Sequence, residues 1–118
     1  MRFMCLYKPG KPESGAPPDP NERAAMENLI DEMSKAGVLL ATAGCAPSSK
    51  SARVRIDSGK YTVVDGPFPK AEELIAGYCL MQVKSKAEAI EWGKRFLAVA
   101  GVGQTEILQI AGMSDFAP

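Results

Sequence analysis

At 118 residues and 12.6 kDa the chain has the length of one domain, and its 46% hydrophobic content is enough to fill a core. Fourteen basic and fourteen acidic residues cancel to a formal net charge of +0, so no overall field exists to hold nucleic acid or an acidic membrane surface. The cysteines, Cys5, Cys45 and Cys79, lie far apart with no Cys-x-x-Cys spacing, and the chain has no histidine; the expectation is no metal, no cofactor and a reducing cytoplasm.

The apolar opening, Met1 to Tyr7, is far too short for a signal peptide or a membrane span and reads as a first strand. Lys8 to Pro18 is rich in Pro, Gly, Lys and Ser and reads as a long exposed loop. A helix is predicted next. Asp19 is its cap, Pro20 its first residue and Glu22 the reciprocal partner of a D-x-x-E capping box; Met26, Leu29, Ile30 and Met33 recur at helical spacing, and Gly37 ends the pattern.

Val38 to Thr42 follows as a short, buried strand. A hairpin comes after it: Ala52, Val54 and Ile56 alternate with Arg53, Arg55 and Asp57, Ser58-Gly59 makes the turn, and Tyr61 to Val64 returns. The Arg53 and Arg55 side of the hairpin is predicted to face water. Leu74 to Val83 reads as a central strand. Ser85-Lys86-Ala87-Glu88 then opens a second helix with an apolar face of Ile90, Trp92, Phe96, Leu97 and Ala100, closed by Gly101 and Gly103. Thr105 to Ile110 is the last strand.

With the hairpin treated as an insertion, the order is βαββαβ, an α+β fold of ferredoxin-like type over a single domain, residues 1–118. Two helices then cover one face of an antiparallel sheet and leave the other bare. Because Phe3, Cys5 and Tyr7 alternate with the equally apolar Met4 and Leu6, the first strand is expected to be buried on both sides. The expected partner is therefore a second copy of the chain, packed face to face.

The most distinctive string is Thr62-Val63-Val64-Asp65-Gly66-Pro67-Phe68. With Ala36 to Leu40, Pro47 to Lys50, Ala52 to Arg55, Glu73 to Tyr78 and Val83 to Trp92, it resembles the DGPF branch of the YCII-related family. The resemblance implies a dimeric α+β barrel. It also implies that some relatives perform acid–base chemistry on small ring compounds with a His and an Asp, and that others work beside sigma factors. This chain departs from the pattern at Ala46, where close relatives carry His, and at Leu108, where they carry Arg.

The candidate catalytic residue is Asp65, placed at a strand end before a Gly-Pro turn, where a carboxylate serves as a base or simply bonds turn amides. Ser48, Lys50, Arg53 and Tyr78 are the candidate ligand-binding residues. Ser48 and Lys50 lie in a polar loop suited to an anion or to an ordinary turn, and Arg53 to an acidic ligand or a solvated edge. Tyr78 sets a hydroxyl beside Gly77. Phe68 reads as a packing anchor and the methionines as core. Three functions stay open: a binding protein for a small apolar or anionic molecule, an acid–base enzyme using Asp65, and a partner module of a sigma-factor system.

Overall fold

The computed structural model describes residues 1–112, so the end of the domain expected over 1–118 lies outside the described residues. Six strands and two α-helices follow one another as β1 Arg2–Pro9, α1 Pro20–Lys35, β2 Leu39–Gly44, β3 Ala52–Asp57, β4 Lys60–Asp65, β5 Gly77–Gln82, α2 Lys86–Ala100 and β6 Gly103–Gln109. The main sheet has the order β2-β5-β1-β6, every pair antiparallel, and β3-β4 forms a separate two-stranded hairpin. Leaving the hairpin out, this is the ferredoxin-like order of an α+β fold.

The central strands carry the core. Phe3 and Cys5 stand opposite Met81 and Cys79, and with Leu29 and Met33 of α1 and Ala89 of α2 they form the buried cluster between sheet and helices. Strand alternation sends Met4 and Leu6 to the opposite face, where Leu80 and Tyr78 are their cross-strand neighbours on β5 and Leu108 faces Met4 from β6. Among the described residues no helix covers that face. Leu108 and Tyr78 are exposed and Met4 and Leu6 half-buried, so the chain alone buries only one side of its first strand.

Several boundaries shift for tertiary reasons. β1 runs through Lys8 and Pro9, read as loop, because β6 begins at Gly103 and pairs with them. Gly103 is obligatory there: its φ is +143° and a Cβ would stand 2.6 Å from the Lys8 carbonyl oxygen. Gly101, at φ +91°, closes α2, while Gly103 belongs to the strand. The Leu74 to Val83 run enters the sheet only at Gly77, after a short 3₁₀ turn at Ala71–Glu73. β2 is an exposed edge; of the apolar run expected to be buried there, Val38 is the buried residue.

The two helix caps differ. Ser85 Oγ accepts the Glu88 amide at 3.1 Å, and the Glu88 carboxylate accepts the Lys84 amide at 3.3 Å, one residue outside the reciprocal box. Asp19 occupies the cap position of α1 but makes no side-chain cap bond; its carbonyl accepts from Arg23 instead. Ser85→Ala is accordingly expected to destabilise the protein by about 1 kcal/mol. Asp19→Ala should cost a few tenths at most, as urea denaturation of the two variants will show.

Ser58 and Gly59, at φ 51° and 78°, make the two-residue hairpin turn with both central residues left-handed. The register pairs Val54 with Val63 and Ile56 with Tyr61 on one face, and Arg53 with Val64 and Arg55 with Thr62 on the other. Arg55 faces water as expected, whereas Arg53 is half-buried against Phe68 and Glu73, and the apolar side is exposed as well.

Candidate functional site

Two places gather the chemistry-bearing residues. The first is a cavity of about 360 Å³ between the sheet and the helices. Its floor includes Cys5, Cys79 and Met81, and its walls include Met26 and Ile30 of α1 and Trp92 and Phe96 of α2. Helical spacing explains the walls, because Met26 and Ile30 lie four residues apart, as do Trp92 and Phe96, and each pair shares one face. Among the described residues lining the cavity, none carries a charge.

Two of the hydroxyls at the cavity, those of Tyr7 and Thr42, are turned to the backbone. Tyr7 packs edge-on against Phe96, with ring centroids 5.2 Å apart, and its hydroxyl donates to the Val102 carbonyl at 2.9 Å. Burial, then the nearby Glu22 carboxylate, raises the Tyr7 pKa, so it stays a neutral phenol. Thr42 donates to the Tyr78 carbonyl at 2.8 Å. Burial, then its neighbour Cys79, pushes the Cys5 thiol up to about 11, and burial raises Cys79 as well. Neither thiol is a nucleophile near neutral pH.

The second place is the base of the hairpin, where the Asp65-Gly66-Pro67-Phe68 string meets the 3₁₀ turn Ser48–Lys50. Ser48, buried at 7% exposure, is its knot. Its amide donates to Glu13 Oε1 and its hydroxyl to Oε2, both at 2.7 Å, and the same hydroxyl accepts the Phe68 amide at 2.9 Å. Gly66 donates to the Ser51 carbonyl at 2.8 Å, and the Gly66–Pro67 peptide is cis. Arg53 lies 3.8 Å above the Phe68 ring centroid and pairs with Glu73 Oε2 at 3.1 Å. Phe68 is the anchor its sequence context implied.

The expected site residues therefore separate. Ser48 and Arg53 meet through Phe68, in contacts that tie the hairpin to the body. Asp65 is exposed, paired with Ala52 at the end of β4 and outside the cavity, and Lys50 is exposed on the turn. Tyr78 borders the cavity, but strand alternation turns its ring toward the uncovered face of the sheet. Ala46 and Leu108 are exposed too, Leu108 on that same face.

Sequence reasoning missed Glu13, which lies in an exposed loop with almost no apolar content and shows its role only through a contact 35 positions away. It also read the cavity walls as solid core, because helical periodicity reports a buried face and not a gap within it.

The family comparison is decisive. A family model, the YCII-related domain, matches residues 1–113. The chain belongs to the YCII-related family. No curated protein matches this YCII-related chain. Among the described residues no helix is long and apolar enough to cross a membrane, and no group of three His, Cys, Asp or Glu side chains is arranged to hold a metal ion.

The Glu13 clamp gives this YCII-related protein an acid-sensitive contact. Hydrogen bonds from the Ser48 hydroxyl and then the Ser48 amide hold the Glu13 carboxyl below its ordinary pKa. A lowered folded-state pKa stabilises above the ordinary glutamate titration and is lost as pH falls through the lowered value. Protection factors at the Ser48 and Phe68 amides should fall between pH 7 and pH 3, although intrinsic exchange itself slows over that range, and Glu13→Gln should reproduce the loss at pH 7. Equal protection factors at both pH values would count against the clamp.

Proposed function

We propose that this YCII-related protein is a homodimer that binds a small, uncharged, apolar molecule in the cavity between its sheet and its helices. The observation that carries the reading is the lining. Aromatic and thioether side chains from both helices face the sheet across an open space, no charged group borders it among the described residues, and the Tyr7 and Thr42 hydroxyls donate to main-chain carbonyls. Such a site rewards removal of apolar surface from water. An anion entering it would lose hydration with no cation to replace it, so of the apolar and anionic ligands expected from the sequence the apolar one is favoured.

The uncovered sheet face supports the dimer. Met4, Leu6, Leu80 and Leu108 form an apolar surface on strands whose other side is core, and a second copy is the partner whose surface matches it by symmetry. The Asp65 to Phe68 string supports placement in the DGPF branch with its dimeric barrel, and the cytoplasm is the proposed compartment. An acid–base reaction centred on Asp65 draws no support from this cavity, because that carboxylate stands outside it.

Trp92 makes the reading directly testable, since it is the single tryptophan of the chain and lines the cavity. Titration with neutral aromatic compounds such as indole and naphthalene is expected to change Trp92 fluorescence saturably and to raise the melting temperature. Their carboxylate analogues should bind at least about tenfold more weakly. Linear, non-saturating quenching by every compound would reject the binding reading.

A further inference from the structure

In the hairpin, β4 is exposed along its whole length and β3 at every position except Arg53. Val54, Ile56, Tyr61 and Val63 occupy one face of β3-β4 and are 67%, 61%, 74% and 61% exposed. The opposite face is polar, and at its base Arg53 holds to Phe68 and Glu73. The hairpin is thus amphipathic and anchored at one end, and its apolar face has no covering layer. A two-stranded hairpin is marginally stable in water by itself, and six-residue strands with a β-branched and aromatic face are built to pack on something.

We infer that the hairpin is a dimerisation arm, whose Val54, Ile56, Tyr61 and Val63 face packs against a second copy of this chain. The inference rests on the homodimer proposed above and adds the arm to its interface.

Shape and area argue for that occupant. The radius of gyration is 16.3 Å, against about 13 Å for a compact chain of this length and about 17 Å for one twice as long. The extents are 49 × 45 × 18 Å, so the described chain is a thin plate with room for a further layer on its uncovered sheet face. A second copy supplies that layer. Four strands about 20 Å long offer a footprint of roughly 400 Å², and the hairpin adds about half as much again. A standard interface takes about 800 Å² of accessible surface from each partner, so a flat footprint of roughly 400 Å² falls short on the sheet face alone and the arm raises it to about 600 Å². A two-fold axis also doubles the contribution, since each arm that reaches the partner receives one in return.

The test uses the full chain and the variant Ile56→Lys with Tyr61→Lys. Both positions are exposed in the single chain, so the core should fold unchanged, as circular dichroism will verify. Sedimentation equilibrium is expected to show a wild-type dimer at micromolar concentration and a variant whose dimerisation is weakened by roughly 100-fold. A wild-type dimer with an equally strong variant dimer would overturn the arm and leave the homodimer standing. A wild-type monomer would overturn both. If the variant fails to fold, hydrogen exchange on the wild-type chain decides. Hairpin amides should be protected when concentrated and should lose protection on dilution below the dimer dissociation constant; fast exchange at both concentrations would reject the arm.

Discussion

Gly66→Ala is expected to destabilise the protein by about 3 kcal/mol or more, a large effect for the addition of one methyl group. A Cβ at Gly66 would stand 1.7 Å from the Ser48 carbonyl oxygen and 2.6 Å from its carbon, distances at which backbone must move. Ser48 has little freedom to give way. Its carbonyl accepts the Ser51 amide at 2.9 Å, its own amide is bound to Glu13, and its hydroxyl joins Glu13 to Phe68. The strain therefore spreads to every contact that holds the hairpin. Urea denaturation should record the loss, and hydrogen exchange should place it first in β3 and β4. Asp65→Asn, one position earlier and exposed, should shift stability by less than about 0.5 kcal/mol. A Gly66→Ala protein as stable as the wild type would mean that the close approach to Ser48 is dispensable.

Phe3→Ala is expected to cost about 3–5 kcal/mol. Phe3 is 2% exposed and is one of the two largest fully buried side chains, facing Met81 across the centre of the sheet. Truncation removes a ring from between the sheet and both helices and leaves a void that Met81, equally buried, is poorly placed to fill. Domains of this size have a total stability of about 5–15 kcal/mol, so the variant should lose at least about a fifth of its margin. A fall in urea midpoint equivalent to less than about 1 kcal/mol would show that the core collapses around the missing ring.

These two positions show how unevenly structure and site were written along the chain. Phe3 lay in the apolar opening run that reads as a first strand buried on both sides. Gly66 announced only that a turn was present. The elements were legible because periodicity, the Ser85 cap and the Ser58-Gly59 turn are local signals between residues a few positions apart. Asp19 shows the limit of such signals: it stands at the cap position with the right spacing to Glu22, yet its carboxylate makes no cap bond.

The candidate site was less legible. Charged and polar residues drew attention because they carry chemistry in general, yet Ser48 and Arg53 are engaged in fastening the hairpin. The cavity is made of residues whose individual signals all read as core, and it exists because α1 and α2 stand off from part of the sheet. Helix standoff depends on packing across several elements at once, and no window of sequence contains it.

The sequence by itself therefore determined the α+β class, the order of the elements, the presence of the hairpin and the YCII-related membership, all of which follow from short-range patterns and strings. Tertiary structure alone decided that Glu13 clamps Ser48, that Asp65 stands apart from the cavity, that Tyr78 turns to the bare face and that the apolar face of the hairpin is left uncovered within the single chain. Each of those facts joins or separates residues tens of positions apart. Their physical cause is the packing of whole layers, which local preference biases but does not specify.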